Sequence, residues 1–240
     1  MPEPATLVLT AHGSADPQSA ANAQAVAARV RRMRPGIDVR VAFCEINQPS
    51  LIDVLDGCYG EAVVTPLLLA DAHHARVDIP AQIARSRASH RVRQAGVLGE
   101  DARLVSVLGE RLTELGVSRL DETVGVLVVA VGSSDAAANA RTAAVAPTLA
   151  LGTHWAAVAA AFATRREPSL TEAADRLRRQ GARRVVIAPW FLAPGRLPNR
   201  VRGFAEDAGI EMAAPLGAHR LVAQTVLDRF DDAMAQRAAA

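Results

Sequence analysis

The chain of 240 residues is half apolar and has a formal net charge of +2 at pH 7. All of its basic residues are arginine, which excludes P-loop and Schiff-base lysines, and the balanced charge excludes the clustered basic face of a nucleic-acid-binding protein. No apolar run approaches the roughly 20 residues of a membrane helix. We therefore expect a cytoplasmic globular protein with neither nucleic acid nor a membrane as partner.

A strand, a turn and a helix are expected at the start of the chain. The apolar run Thr6–Ala11 predicts a buried strand, and His12-Gly13-Ser14 follows it as a tight turn. Asp16 fits the N-cap of a helix and Pro17 fits its first turn. This helix is expected to end at Met33. His12 therefore follows a strand directly, at the position where open α/β sheets bind ligands.

Strands alternate with helices through the rest of the first half. The expected elements are strand Asp38–Glu45, a helix from Ser50, strand Ala62–Leu69, a helix opened by Asp78-Ile79-Pro80, strand Val92–Leu98 and helix Ala102–Leu115. This alternation predicts an α/β fold, with a small parallel sheet flanked by helices.

The second half of the chain repeats the first. The segment Phe43–Leu51 corresponds to Phe162–Leu170, and both end in Pro-Ser-Leu. The residues kept in both copies are Gly13 and Gly132, Ser14 and Ser133, Pro49 and Pro168, and Pro66 and Pro189. The duplication predicts two domains, 1–120 and 121–240. Because both copies are in one chain, we expect a monomer.

Three chemically active residues are not kept in the second copy. His12, Glu45 and His74, called the trio below, correspond in order to Val131, Thr164 and Leu197. Glu45 and His74 follow the second and third strands. Because the carboxyl ends of parallel strands meet at one edge of a sheet, we expect the trio to lie together. The comparison assigns the site to domain 1–120 and a degenerate copy of it to domain 121–240.

The trio has the composition of a metal site or a proton-transfer site. Two imidazoles and a carboxylate can bind a divalent ion of iron, cobalt or nickel, and three ligands leave a coordination position open. The same groups can transfer protons, because histidine titrates near neutral pH. Each residue alone would equally fit a hydrogen-bonded loop or a solvated strand end. Their joint loss in the second copy favours a site.

In its motifs the chain resembles the sirohydrochlorin chelatase family, the small class II tetrapyrrole chelatases, in the long actinobacterial-type form of that family. The resemblance covers nearly the whole chain and rests on strand-His12-Gly13-Ser14, on Phe43-x-Glu45 with Pro49-Ser50-Leu51, and on Pro66-Leu-Leu-Leu69 followed by His74-x-x-x-Asp78-Ile79-Pro80. It implies two tandem flavodoxin-like domains of the chelatase type. It also implies an ATP-independent lyase that inserts Fe²⁺, which is favoured, or Co²⁺ into sirohydrochlorin for sirohaem or cobalamin biosynthesis, and the donor types would accept Ni²⁺ as well.

The resemblance also implies roles for individual residues. His12, Glu45 and His74 correspond to the family's metal-binding and catalytic residues, and His74 is preferred to His73 because it keeps the spacing to Asp-Ile-Pro. Asp71 and His73 depart from the family's pattern, and either could join the metal site. The carboxylates of a tetrapyrrole call for guanidinium partners. The candidates for substrate contacts are Ser14, Arg76, Arg196 and Arg200.

Two other functions fit the same residues. A non-catalytic metal or tetrapyrrole carrier would use the trio only for binding, and a pseudo-enzyme would use the duplicated scaffold only for contacts with a partner. No nucleotide cofactor is expected, because Gly13 and Gly132 belong to no Gly-x-Gly-x-x-Gly motif. The donor types alone do not distinguish iron, cobalt and nickel.

Overall fold

The structure is a computed structural model that describes residues 5–164 and 168–238. Its strands are β1 (Thr6–Ala11), β2 (Val39–Phe43), β3 (Ala62–Pro66), β4 (Val92–Gln94), β5 (Val124–Ala130), β6 (Ala157–Phe162), β7 (Arg184–Pro189) and β8 (Glu211–Met212). Its helices are α1 (Pro17–Met33), α2 (Leu51–Asp56), α3 (Ile79–Arg85), α4 (Ala102–Glu114), α5 (Ala136–Ala143), α6 (Val145–Ala150), α7 (Leu170–Arg179), α8 (Arg196–Asp207) and α9 (Arg220–Ala238). Arg165, Arg166 and Glu167 of the repeated segment lie outside the described residues. None of the helices in the described ranges has the length and apolar character of a membrane-spanning segment.

The first compact unit is formed by the chain up to Gly99 together with the residues from Ala218 onward. Its four parallel strands have the order β2-β1-β3-β4, which is the order of flavodoxin-like folds. Helices α1, α2 and α9 pack on this sheet, and α3 joins the cluster around α2. The prediction of a small parallel sheet flanked by helices is confirmed.

The second compact unit, Glu100–Gly217, has the same architecture. Its parallel strands have the order β6-β5-β7-β8. Helices α7 and α8 share an apolar cluster with this sheet, in which Leu127, Leu177 and Val201 are fully buried. Helices α4, α5 and α6 also pack on the sheet. The duplication seen in the sequence is therefore a duplication of the fold.

The closing helix of each repeat belongs to the compact unit of the other repeat. Helix α4 follows the first sheet in sequence but packs on β7 and α6 of the second unit, and α9 packs on α1 and β3 of the first. The boundary predicted at 120/121 separates the sequence repeats. The compact units have different boundaries, because the chain crosses from one to the other after Gly99 and again after Gly217.

Burial and arginine hydrogen bonds hold α9 on the first unit. Its buried apolar residues are Val222, Ala223, Val226, Leu227, Phe230 and Ala233. The Arg229 guanidinium donates to the carbonyls of Val97 and Leu98 at 2.9 and 3.0 Å. Arg34 forms a two-pronged ion pair with Asp231, with the second hydrogen bond at 2.7 Å. These contacts join the end of the chain to α1 and to the segment after β4.

Helix α4 is held on the second unit in the same way. Its buried residues are Leu104, Val105, Val107, Leu108 and Leu112. The Arg111 guanidinium donates to the carbonyls of Pro215 and Leu216 at 3.2 and 3.1 Å. An amphipathic pattern shows that a helix has a buried face but not which sheet covers it. The exchange is therefore visible in the structure and not in the sequence.

The predicted elements of the first half are confirmed, with shorter strands. β1 and α1 have the predicted bounds, and the Asp16 carboxylate accepts the Gln18 backbone N–H at 2.9 Å, as expected of an N-cap. The strands β2, β3 and β4 end at Phe43, Pro66 and Gln94, before the predicted ends Glu45, Leu69 and Leu98. Apolar residues continue past each ladder because the connecting segments are themselves packed, as at the buried Leu67.

We expect a cavity in either exchanged helix to loosen the sheet of the other repeat. Phe230→Ala removes a buried ring from α9 and should cost about 3–5 kcal/mol, with faster exchange in β1 and β3. Leu108→Ala in α4 is the matched control and should cost about 2–5 kcal/mol, with faster exchange in β5 and β7. Native-state hydrogen exchange read by mass spectrometry measures both. Faster exchange of β5 and β7 in Phe230→Ala would contradict this assignment.

Candidate metal site

Three neighbouring strands of the first sheet supply the trio. His12 follows β1, Glu45 follows β2 and His74 comes after β3, and β1 lies between β2 and β3. One ligand atom from each side chain lies within 4.8 Å of the others. The rings of His12 and His74 have centroids 4.2 Å apart and cross at 73°. The structure thus brings together the three side chains selected from the sequence, and together they could hold a metal ion.

A close approach of two backbones sets His12 beside Glu45. The Glu45 N–H donates to the His12 carbonyl at 2.9 Å, just beyond the ends of β1 and β2. Gly13 has φ +102°, and a Cβ there would lie 1.9 Å from the Glu45 carbonyl oxygen. Only glycine satisfies both the conformation and the contact. Gly13 therefore determines how near the first two members of the trio can lie.

The loop after His12 is held by an asparagine. The Ser14 N–H donates to Asn47 Oδ1 at 2.7 Å, and Ser14 Oγ accepts the backbone N–H two residues on at 3.1 Å. In the second repeat Ser133 makes the same two contacts, with Asn139 at 2.8 Å and again two residues on at 3.1 Å. Because these contacts recur where the trio is absent, they give Ser14 a structural role. Its contact with substrate stays a prediction.

Each imidazole of the trio has one ring nitrogen occupied. The Nδ1 atom of His12 lies 2.9 Å from the Gly13 carbonyl oxygen, and the Nδ1 atom of His74 lies 2.6 Å from Asp78 Oδ2. A carbonyl or an ionised carboxylate only accepts hydrogen bonds, so we assign the hydrogen to Nδ1 in both rings. The lone pair of each Nε2 is then available to a metal ion.

Asp78 is a functional candidate that entered the sequence motif only through its spacing from His74. It ends the π-helical turn His74–Asp78, and such turns are frequent at functional sites. The Gln94 side chain donates to the Ala75 carbonyl at 2.6 Å and ties this turn to β4. The spacing of four residues between His74 and Asp78 is a readable signal. The contact of Gln94 could not be predicted from the sequence, because it joins two segments that are not neighbours along the chain.

The two further ligands considered from the sequence lie outside the cluster. Asp71 pairs with Arg76 at 2.8 Å, and His73 is 67% exposed with its Nε2 3.5 Å from Asp78 Oδ1. Among the residues that the structure describes, only the trio forms a group that could hold a metal ion. Arg76 is half-exposed in its pair with Asp71, and its contact with substrate stays a prediction.

A cysteine precedes Glu45 and is not available as a thiolate. Burial, and then the negative charges of Asp78 and Glu45, raise the pKa of the Cys44 thiol to about 12. The thiol therefore stays protonated at neutral pH, and only the thiolate is a good metal ligand. The donors near this edge of the sheet are thus imidazole nitrogen and carboxylate oxygen.

The second repeat keeps the scaffold of the site but not its donors. Val131 replaces His12 and is 42% exposed, and Thr164 donates its hydroxyl to the Val131 carbonyl at 2.8 Å. Residues 190–195 connect β7 to α8, and residues 67–72 connect β3 to the helical stretch that begins at His73, so the two connections have the same length. Leu197 is the second residue of its helix, as His74 is of the first unit's helical stretch, and so lies at the corresponding position.

The two remaining substrate candidates belong to the second unit. Arg196 and Arg200 are exposed in the first turns of α8, four residues apart and so on one side of the helix. Their contacts with substrate also stay predictions.

A family model described as CbiX matches residues 6–115 and again residues 125–233. Sirohydrochlorin ferrochelatase of Priestia megaterium is 28% identical over 225 residues, covering 87% of this chain and 82% of that protein. Sirohydrochlorin cobaltochelatase of the same organism is 26% identical over 245 residues, covering 95% and 80%. These matches confirm the duplication and the resemblance expected from the motifs.

Solved structures share the fold over the whole chain. SirB from Bacillus subtilis with Fe³⁺ superimposes with a TM-score of 0.81 at 22% identity, covering 98% of both chains. A structure described as CbiX, the terminal enzyme for biosynthesis of siroheme in denitrifying bacteria, gives a TM-score of 0.71 at 21% identity, covering 95% of this chain and 99% of that one. At these identities the likeness is one of fold.

Gly13→Ala should disrupt the candidate metal site, because its methyl group would meet the Glu45 carbonyl at 1.9 Å. We expect a loss of about 1–3 kcal/mol of stability from strain and at least about tenfold weaker Co²⁺ binding. Gly132→Ala is the matched control, since its methyl group would meet Thr164 Oγ1 at 2.6 Å in the unit that lacks the trio. Denaturant unfolding and a Co²⁺ absorbance titration measure the two effects. Equal losses of Co²⁺ affinity in both variants would contradict the prediction.

Asp78→Ala should weaken metal binding by about 10–100-fold, because it removes the carboxylate that orients His74. Asp78→Asn should lose less, since the amide oxygen still accepts from Nδ1. Asp71→Ala removes a carboxylate of the same segment that pairs with Arg76, and its Co²⁺ affinity should stay within about twofold of wild type. Calorimetric titration with Co²⁺ compares the three. A larger loss at Asp71 than at Asp78 would show that a different carboxylate supports the site.

Proposed function

Because the chain belongs to the CbiX family, we propose that it is a chelatase that inserts a divalent metal ion into sirohydrochlorin. The observation that carries the proposal is the trio, two imidazoles and a carboxylate at one sheet edge with ligand atoms within 4.8 Å of one another. The names of the two Priestia megaterium relatives, a ferrochelatase and a cobaltochelatase, support the substrate and the reaction.

The metal ion in this reaction is a substrate and not a resident cofactor. The Nε2 atoms of His12 and His74 would bind it, and the exposed carboxylate of Glu45 would supply an oxygen ligand. Three protein ligands leave coordination positions open. The pyrrole nitrogens of the macrocycle can take these positions and then replace the protein ligands one at a time.

Metal insertion releases protons, which the trio can accept. One divalent ion replaces two pyrrole N–H protons, so the ring gains the metal and two protons leave for the solvent. A Nε2 or carboxylate oxygen freed from the metal becomes a base beside the ring, and general-base assistance contributes roughly 10²–10⁴-fold. Glu45, as the exposed member, is the proposed exit to water.

We propose Fe²⁺ as the favoured metal, following the ferrochelatase relative at 28% identity. Co²⁺ and Ni²⁺ would also be accepted, since imidazole and carboxylate donors suit all three. We further propose an ATP-independent lyase reaction. The metal and the ring associate directly, and the bond energy of the metal–nitrogen bonds supplies the driving force. Turnover in a mixture free of nucleotides tests this point.

Arg76, Arg196 and Arg200 are the proposed partners of the substrate's carboxylates, because guanidinium groups bind carboxylates through two parallel hydrogen bonds. Arg76 would exchange its present partner, Asp71, for a substrate carboxylate. Because Asp71 and Arg76 are both about half-exposed, their pair contributes little to stability and can open at small cost.

An anaerobic absorbance assay with sirohydrochlorin, adding Fe²⁺ or Co²⁺, tests the proposed function. Wild-type protein should metallate many equivalents of ring, and His12→Ala/His74→Ala should fall to the uncatalysed rate. The control is His154→Ala, which removes an exposed histidine of the second unit and should keep full activity.

Other results of this assay would identify the alternatives. A stoichiometric complex without turnover would indicate a metal or tetrapyrrole carrier. Unchanged metal and tetrapyrrole binding in the double variant would indicate a scaffold without a site. The monomeric state and the cytoplasmic location stay predictions, and solution scattering tests the first of them.

A further inference from the structure

Ile46, the residue after Glu45, has an unusual backbone. Its φ is +64°, in the left-handed region that β-branched residues rarely adopt. The Asn47 N–H donates to the Glu45 carbonyl at 2.6 Å, a bond from residue i+2 to residue i that closes a turn around Ile46. Such a γ-turn with positive φ at its centre is the rare and strained form. Glycine or asparagine would adopt this conformation at lower cost.

Burial does not compensate for the strain at Ile46. Its side chain is 68% exposed, so it gains little from the apolar core. Strained residues persist where the surrounding structure holds them, and they concentrate at functional sites. An exposed isoleucine in a strained turn is therefore unfavourable for the folded protein on two counts, conformation and solvation.

The neighbours of Ile46 explain the turn but not the side chain. On one side, the Glu45 N–H is bound to the His12 carbonyl at 2.9 Å. On the other, Asn47 Oδ1 accepts from Ser14 N–H at 2.7 Å. These two contacts require a sharp reversal at residue 46. Any residue that tolerates positive φ would serve them, so the presence of isoleucine needs a separate reason.

A second exposed apolar residue lies three positions after another member of the trio. Val77 is 48% exposed and lies within the π-helical turn that begins at His74 and ends at Asp78. The segments that carry Glu45 and His74 thus each present an apolar side chain to solvent. In the second repeat, which lacks the trio, the sequence has Arg165 at the position that corresponds to Ile46.

We propose that Ile46 contacts the apolar face of the tetrapyrrole ring and so contributes to substrate affinity, with Val77 on the neighbouring segment in the same role. This inference rests on the proposed chelatase function. A flat macrocycle has apolar faces and charged edges, and a β-branched side chain held rigidly beside the metal ligands would lose little entropy when the ring covers it. Binding of the ring would then remove from water the apolar surface of Ile46 that folding leaves exposed.

Substitution of Ile46 separates a substrate contact from a structural turn. Ile46→Asn suits the turn better, so it should raise Tm by about 2–4 °C. It should also raise KM for sirohydrochlorin at least about fivefold, with kcat and Co²⁺ affinity within about twofold of wild type. Ile46→Val keeps the branched apolar side chain and should keep KM near wild type. Leu120→Asn, at an equally exposed leucine, is the control and should leave KM unchanged.

The binding of metal-free sirohydrochlorin, followed by absorbance, gives a readout that does not need turnover. If wild type binds the ring but does not metallate it, the proposed catalytic function fails while Ile46→Asn still tests the contact. A KM and an affinity for the ring within about twofold of wild type in Ile46→Asn would overturn the inference. A wild-type protein that does not bind the ring would overturn both.

Discussion

The approach of Gly13 to the Glu45 carbonyl is the contact on which the site depends. It allows the Glu45 N–H to donate to the His12 carbonyl just beyond β1 and β2. The imidazole and the carboxylate therefore extend from two backbones that a hydrogen bond joins, although the two segments are far apart in sequence. The geometry of the donors is thus set by main chain and not by flexible side chains. A site built this way is preorganised, because little backbone freedom is left to lose when an ion binds.

The two repeats show which parts of this arrangement serve the fold and which serve the chemistry. Gly132, with φ +90°, lies against Thr164 and Phe162, and Ser133 is held by an asparagine as Ser14 is. The second unit therefore keeps the close strand ends and the supported loop without an imidazole or carboxylate at the corresponding positions. It differs in the side chains at these positions, which are Val131, Thr164 and Leu197.

Local pattern was enough to predict the strands, the first helix and the three members of the trio, because each depends on residues close in sequence or on the comparison of the two copies. The features that it missed depend on distant contacts. Asn47 supports Ser14 from the loop after β2, Gln94 supports the turn of His74 from β4, and α4 and α9 cover the sheets of opposite repeats. An apolar helix face, or an amide in a short strand, does not encode its partner. The correspondence of His74 with Leu197 also follows from local pattern, because the two strand-to-helix connections, 67–72 and 190–195, have the same length.

The crossing of α4 and α9 has a consequence for synthesis on the ribosome. The second sheet, although encoded later, has all its parts once Gly217 has been made, because helix α4, which packs on it, is already available. The sheet that carries the trio must wait for α9. While the residues from Glu100 to α9 are synthesised, on the order of ten seconds at about 5–20 residues per second, the surface of α1 and β3 that α9 will cover stays exposed. A chain that stops between Gly217 and α9 would therefore have a finished second unit and an unfinished unit around the trio, so that the sheet carrying the trio is completed later than its copy.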